Sequence, residues 1–507
     1  MPKIDEKKLL AILIFLHLAI ALPMAYALTI WADEASTLYT TQHGFFRTFQ
    51  NLFTDEKQAP LYFLLLSLWR TIDDSVFFAR LFSVIFSLLA IVAFSHLARK
   101  IWEKRTALLL TALFALHPYL FWASLEIRLY SFVIFITCLL FSFFYDGFLD
   151  EKNVFREGAK GQRRAQIYYV LTSIVALYTN YYLGFLLVGA FVALLVLRRR
   201  TEAKSYFLRM LAVGVAILPL FYIISFQFSD RAATYQTEKS IIDGVRILWN
   251  HFLTFVLPTE IYTTEEGSAL SFARLWIVRL AGLAALIVLF KNKLKQLDKN
   301  ILAFGTIAAV CGAFFLFVYF QLGSDYVEIR HAAVYFVAIF VFAGAVLVKV
   351  LPEKAWLFAA VLCAVFFAYS IAVMYPNLTK HGDWARVAAF IAEREKPNQP
   401  IVFFPAYDAL ALPFYYRGAN VILPDEKYFS FHTEAEPGNQ NSFRGQIEFV
   451  IGEIPPDAEE IWLLTGENCK IEQSCAPLEI HVAANYTIME EKDFYREKVR
   501  LLRRKQK

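Results

Sequence analysis

The sequence predicts a polytopic α-helical membrane protein with a C-terminal extracytoplasmic α/β domain. Three observations lead there. Of 507 residues, 58% are hydrophobic and only 19% charged, a balance that a soluble chain of this length does not sustain. Apolar runs of about twenty residues, the length a hydrocarbon core demands, recur as far as Met374. From Tyr375 onward apolar density drops, while Pro, Asn and charges rise. The 50 Phe and 26 Tyr suit lipid-facing bulk and interfacial aromatic belts. The net charge of +5 comes from basic residues clustered between apolar runs, as orientation signals are. That pattern argues against nucleic acid as a partner.

The elements follow in order. After MPKIDEKK, the run Leu9–Ile30 is longer than a signal-peptide core and lacks a small-residue cleavage site, so it reads as a retained first span. Further runs lie at Phe77–Ala98, Thr106–Trp122, Tyr130–Phe148, Ile167–Tyr178, Tyr182–Leu197 and Leu208–Phe226. Leu275–Phe290, Ile301–Phe320, Ala332–Val350 and Trp356–Met374 complete the series. The total is about eleven spans. Loops rich in Lys and Arg (98–105, 151–164, 197–204, 291–300 and 349–354) fall on one face together with the N-terminal KIDEKK. The positive-inside rule makes that face cytoplasmic. Alternation then places the 29–76, 227–274 and 321–331 loops on the outer face, with everything after Met374. The expected organisation is a transmembrane domain, 1–374, with outer loops 31–76 and 227–274, followed by an outer domain, 375–507. In a bacterial or archaeal cell this is a multi-pass protein of the inner (plasma) membrane. Within the outer domain Asp383–Lys396 has helical spacing, and IVFF (401–404), NVILP (420–424) and EIWLL (460–464) read as buried strands, an alternation that suggests a small α/β fold. Cys138, Cys311 and Cys363 lie in apolar runs and read as buried thiols. Cys469 and Cys475 sit in the polar stretch GENCKIEQSC, where a short-loop disulfide forms if the segment faces an oxidising compartment.

Charges at the ends of the spans are costly, and several gather near the outer face. Asp33 and Glu34 follow the first span, and Arg80 opens the second. Glu126 and Arg128, in SLEIRLYS, separate the third and fourth; Asn180 separates the fifth and sixth. Glu328, Arg330 and His331 open the tenth. A charge at a helix centre costs on the order of 2.5–3.5 kcal/mol, less toward the interface. Any one of these residues is equally explained by snorkelling or by a packing ion pair. Convergence of five segments at one level favours a shared polar cavity. Arginine matches phosphate geometry with forked, permanently charged donors, and a carboxylate can accept a proton from an attacking hydroxyl. The combination suits displacement at a carbon whose leaving group is a lipid phosphate, with the arginines stabilising the charge that builds there. Adjacent residues do not share a face on helix or strand. Asp33 and Glu34 therefore divide the work: one faces the reacting centre, the other a metal, a sugar hydroxyl or a structural partner.

The series of motifs resembles the GT-C glycosyltransferases, integral membrane enzymes that use polyprenyl-phosphate-linked sugars. The carriers are the span followed by WADEAS, QAPLYFLLLSLW (58–69), FFARLFSVIFSLLAI (77–91), SLEIRLYS, YTNYYLGFLL, EIRHAAVYF, and HGDWARVAAFIAE with ALALPFYYRG. Within that fold the chain looks most like the protein O-mannosyltransferase branch, which also contains the lipid A aminoarabinose transferases. The resemblance implies roles. Asp33 becomes the general base, with Glu34 supporting the catalytic site. Arg128, Arg330 and Arg80 would hold the donor phosphate, with Lys57 a further cation. Glu126 would orient Arg128 or touch the sugar, and Tyr62, Tyr130 and Tyr181 would line the cavity. Two departures stand out. Gln58-Ala59 occupies the place before Pro-Leu-Tyr where relatives often carry histidine, which leaves a divalent metal ion near the acids open. Arg330-His331 replaces an arginine-tyrosine pair, so His331 is a core histidine, a phosphate donor or a ligand.

The reading that results is a glycosyltransferase, hexosyl or pentosyl, acting by inversion. It moves a sugar from a polyprenyl-phosphate donor to a protein, lipid or glycan acceptor on the outer face. A transporter or flippase of a lipid-linked substrate would also use intramembrane charges. It predicts repeated halves with Gly/Pro-broken spans, and neither is evident in the sequence. A polysaccharide ligase or polymerase of the envelope would share the donor chemistry. A non-catalytic assembly protein would have no use for Asp33, Arg128 and Arg330 together.

Overall fold

The computed structural model describes residues 5–54, 58–150, 158–228, 240–258, 299–375, 378–380, 382–404, 406–423, 443–466, 469 and 475–506. The chain divides into two compact units. The first comprises Met1–Ala25, Gln58–Phe226 and Tyr235–Met374; the second comprises Tyr26–Lys57, Gln227–Thr234 and Tyr375–Lys507. The change of character at Tyr375 coincides with a unit boundary, and the first outer loop is divided: its part up to Lys57 belongs to the same unit as the C-terminal domain, and the rest, from Gln58, to the first unit.

The first unit is helical. It contains α1 (Glu6–Ala27), α4 (Leu61–Trp69), α5 (Val76–Ile101), α6 (Lys104–Ala115), α7 (Pro118–Leu125) and α8 (Tyr130–Phe144). There follow α9 (Gly158–Thr179), α10 (Leu183–Val196), α11 (Arg200–Ala216) and α12 (Leu218–Phe228). After these come α13 (Ile241–Val256), α14 (Lys299–Leu322), α15 (Ala333–Val350) and α16 (Glu353–Val373). Five described helices are long and apolar enough to cross a membrane, or up to seven if each of two bent pairs is one span. This is a multi-pass membrane protein. Every apolar run of the sequence falls on a helix except Leu275–Phe290, which lies outside the described residues.

The two bends have sequence causes. Between α6 and α7 the axis turns by 46° where Pro118 stands at the start of the new helix and His117 caps it, its Nδ1 accepting from the Tyr119 amide at 3.1 Å. Proline has no N–H to continue the old ladder, and it suits a first helical turn. The 58° bend between α11 and α12 likewise falls beside Pro219. Bulky aromatics fill the bundle: Phe94 stacks on Phe114 with centroids 4.1 Å apart, and Phe114 meets Phe336 at 5.7 Å. Small residues allow close approach. A β-carbon at Gly189 of α10 would stand 3.2 Å from the Ile307 backbone of α14.

The second unit begins with α2 (Ala32–Thr41) and α3 (Gly44–Thr54) and continues in the C-terminal α/β fold. That fold holds α17 (Trp384–Ala392), β1 (Ile401–Phe404), a 3-10 segment (Ala406–Phe414), β2 (Ile422–Leu423) and α18 (Phe443–Gly452). It closes with β3 (Glu460–Thr465), α19 (Ala476–Asn485), β4 (Tyr486–Asp493) and β5 (Lys498–Arg504). The sheet order is β2-β1-β3-β5-β4. β1 runs parallel to β2 and β3, and β5 lies antiparallel between β3 and β4. β1 is buried at every position, as expected of a parallel strand covered on both faces. Val402, Phe404, Ile461 and Leu463 pack with Ile447, Leu478 and Val482. Phe403 and Trp462 meet Trp384 and Phe390 of α17. Cys469 and Cys475 are joined in a disulfide.

Candidate functional site

In the first unit, the polar residues singled out above sit on helix ends. Arg80, in the first turns of α5, is fully buried, and its Nη1 donates to the Ala25 carbonyl at 2.7 Å. Ala25 is in the last turn of α1, where carbonyls lack helical partners and a cation is favoured by the helix dipole. The guanidinium therefore closes one helix from the side of another. Glu126 ends α7 and is 1% exposed; Arg128 follows at 7%. The Arg128 carbonyl accepts from Ser83 of α5 at 3.4 Å. Tyr62 of α4 is buried edge-on to Phe63 and Phe82. Tyr130 opens α8 and stacks on Trp122 with centroids 4.8 Å apart. Between α9 and α10, Asn180 Oδ1 accepts from the Tyr182 amide at 2.8 Å, an Asx turn that sets the start of α10. Tyr181 is half-buried in that turn.

The segment joining α14 to α15 carries the remaining basic residues. It opens with Gly323 at φ +109° and a single 3-10 turn, Ser324–Tyr326. Its own backbone bonds, Val327 to Ser324 and His331 to Glu328, fold it tightly. Arg330 Nε lies 2.9 Å from Glu328 Oε2, and the His331 ring is 5.6 Å from that of Tyr182.

In the second unit Asp33 and Glu34 occupy the first turn of α2, where the helix dipole favours negative charge. They point differently. Asp33 is half-buried, while Glu34 is completely buried and its Oε2 meets Lys380 Nζ at 2.8 Å, the lysine side chain being 2% exposed. Three further contacts fix the helix to the C-terminal fold. Thr29 Oγ1 donates to the Gly382 carbonyl at 2.9 Å, the Tyr415 hydroxyl accepts from the Ile30 amide at 2.7 Å, and Tyr39 packs on Phe414. Nearby, the Asp383 carboxyl is raised above the usual carboxylate value by burial, against the opposing pull of Arg386.

No family profile and no curated relative matches the sequence. Solved structures do match it. ArnT from Cupriavidus metallidurans in the apo state superposes with a TM-score of 0.54 at 15% identity, over 96% of this chain and 97% of its own. The same protein bound to undecaprenyl phosphate gives 0.52 at 15%, over 97% of each chain. The Archaeoglobus fulgidus oligosaccharyltransferase in complex with Zn and sulfate gives 0.51 at 12%, over 92% of this chain and 69% of its own. The chain has the GT-C fold.

On that GT-C frame the two units each hold part of the predicted set. Arg80, Glu126, Arg128, Tyr62, Tyr130, Tyr181, Arg330 and His331 belong to the first; Asp33 and Glu34 belong to the second. Lys57 lies outside the described residues. Among the described residues no three His, Cys, Asp or Glu side chains gather as a metal site requires, and Glu34 is committed to a lysine. Sequence reasoning passed over four residues that the structure makes prominent: Lys380, Tyr119, Tyr182 and His251. Lys380 stands in NLTKHGDW just past the last span, a place that reads as a flanking charge.

Proposed function

We propose that this protein is a glycosyltransferase moving a sugar from a polyprenyl-phosphate-linked donor to an acceptor on the outer face of the plasma membrane, by inversion, with Asp33 as general base. The whole-chain GT-C fold carries the reading. The undecaprenyl phosphate in the matching ArnT complex supports a polyprenyl phosphate as donor carrier. The N-terminus is then cytoplasmic and the second unit extracytoplasmic. Two features support this: the basic loops on one face, and the disulfide of the C-terminal fold, which suits an oxidising compartment.

The chemistry is one displacement. The acceptor heteroatom forms a bond to the anomeric carbon as the bond from that carbon to the phosphate oxygen breaks. The electron pair leaves with the phosphate, and the acceptor proton goes to Asp33. Asp33 suits this task because it is half-exposed, whereas Glu34 is buried against Lys380. Arg128 and Arg330 supply positive charge to the departing phosphate, with forked donors that match its oxygens. Arg80, bonded to the end of α1, holds the frame on which they sit.

The test is transfer from a panel of radiolabelled polyprenyl-phosphate sugars by the purified protein in lipid. Asp33→Asn keeps the size and most of the hydrogen bonding but cannot take the proton. It is expected to lose about 10²–10⁴-fold in turnover, the usual worth of a general base, with unchanged melting. Full activity in that variant moves the base elsewhere. Binding or translocation of lipid-linked sugar with no transfer by the wild type replaces the transferase with a transporter.

A further inference from the structure

Three side chains from three different elements converge on the backbone of the segment that carries Arg330. Tyr119 of α7 donates its hydroxyl to the Ile329 carbonyl at 2.8 Å. Tyr182, at the start of α10, donates to the Tyr326 carbonyl at 2.8 Å. His251 of α13 hydrogen-bonds the Val327 backbone and is itself fixed by Tyr335, whose hydroxyl is 2.7 Å from its Nδ1. The bonded positions 326, 327 and 329 flank Glu328 and lead directly into Arg330 and His331.

Two of the three holders are buried, and Tyr182 is half-buried. Tyr119 is fully buried among Trp122, Phe255 and Phe336, at centroid distances of 5.0, 4.9 and 5.1 Å. His251 is 2% exposed. Packing alone would have been served by phenylalanine at 119 and leucine at 251. The polar atoms are retained in apolar surroundings, where each must find a partner, and each finds a carbonyl or amide of the same ten-residue turn.

We propose that Tyr119, Tyr182 and His251 are positioning residues of the transferase: together they set the backbone of residues 323–332 so that Arg330 is presented to the donor phosphate. This rests on the transferase reading. Tyr182 contributes twice, since its ring also lies 5.6 Å from that of His331. A loop held at one point would pivot; held at three it has one orientation. The guanidinium is then arranged before the lipid arrives, and binding spends little on ordering it.

The experiment uses the full chain in lipid nanodiscs. Undecaprenyl phosphate binding, transfer kinetics and hydrogen exchange of the 323–332 amides are measured for Tyr119→Phe, Tyr182→Phe and Arg330→Ala. Tyr206→Phe is the control: it also removes a buried hydroxyl that donates to a carbonyl, that of Leu187 at 2.8 Å, away from the segment. Each of Tyr119→Phe and Tyr182→Phe is expected to weaken lipid binding roughly 2- to 10-fold, the worth of one hydrogen bond. KM should rise more than kcat falls, and exchange should quicken across 323–332. Tyr206→Phe should match the wild type in all three. Adding Tyr182→Phe to Arg330→Ala should cost no further binding, because the hydroxyl acts through the arginine. If the tyrosine variants bind lipid like Tyr206→Phe, or weaken binding equally without Arg330, the proposal fails while the transferase reading stands. A wild type that binds no undecaprenyl phosphate sinks the transferase reading and the proposal with it.

Discussion

The buried pair of Glu34 and Lys380 gives the sharpest prediction about the second unit. The two charges meet at 2.8 Å with side chains 0% and 2% exposed, so neither has water to fall back on. Lys380→Met keeps the unbranched stem and removes the ammonium. It takes the cation away from a buried carboxylate, and breaking a buried pair in this way costs about 3–5 kcal/mol. For a folded unit of roughly 150–250 residues each kcal/mol lowers the melting temperature by roughly 2–4 °C, so the fall should be roughly 6–20 °C. The reciprocal change, Glu34→Gln, leaves the ammonium buried and should cost a similar amount. The double variant, Glu34→Gln with Lys380→Met, buries no charge and should recover most of the loss, a coupling that additivity forbids for independent sites. The assay is thermal unfolding of the full chain, with hydrogen exchange of peptides over Ala32–Thr41 reporting the acid-bearing helix. Single variants that melt within about 2 °C of the parent would show that Glu34 is solvated. A double variant as weak as the summed singles would show that the pair is not coupled. Either refutes the argument from burial.

Two further predictions concern the C-terminal fold. Replacing Cys469 and Cys475 with serine opens a loop of six residues' separation, which should cost about 2 kcal/mol on the chain-entropy estimate. Reductant should lower the melting temperature of the wild type, and leave the double serine variant unmoved. Glu460 is held below the ordinary carboxylate value of 4.5 chiefly by hydrogen bonds from Arg503 on the neighbouring strand, aided by Gln399. A depressed carboxylate adds stability that is present above pH 4.5 and is lost as pH falls through its lower folded value. The melting difference between wild type and Glu460→Gln should therefore shrink on acidification below that point. A difference that stays constant from pH 6 to pH 3 would contradict the assignment.

What the sequence disclosed follows from the range over which its signals act. Spans are written locally, as uninterrupted apolar runs, and even the bends at Pro118 and Pro219 are marked by one residue each. The core strands IVFF and EIWLL were legible because strands buried on both faces are uniformly apolar. β4 was not legible: YTIMEEKD is exposed along most of its length and carries charges. α13 lay in a segment read as an outer loop, although its Ser240 cap, accepting from Ile242, is a helix start signal. At the candidate site, adjacency alone required Asp33 and Glu34 to face differently, but nothing local names Lys380 as the partner of one of them. Between Tyr181 and Tyr182 a sequence cannot choose, because which ring meets a carbonyl of the 323–332 segment depends on where the helix start places it.

The second unit joins segments from distant parts of the polypeptide, with Thr29 bonded to Gly382 across 353 positions. This has a consequence for biogenesis. A ribosome adding roughly 5–20 residues per second would deliver the acid-bearing segment roughly 20–70 s before its lysine. During that interval Lys380 does not yet exist, and Glu34 waits for the cation it is finally buried against. Completion of the C-terminal fold thus completes the packing of the first helix of this unit, so a prematurely terminated chain holds its spans in the bilayer with Glu34 lacking its lysine.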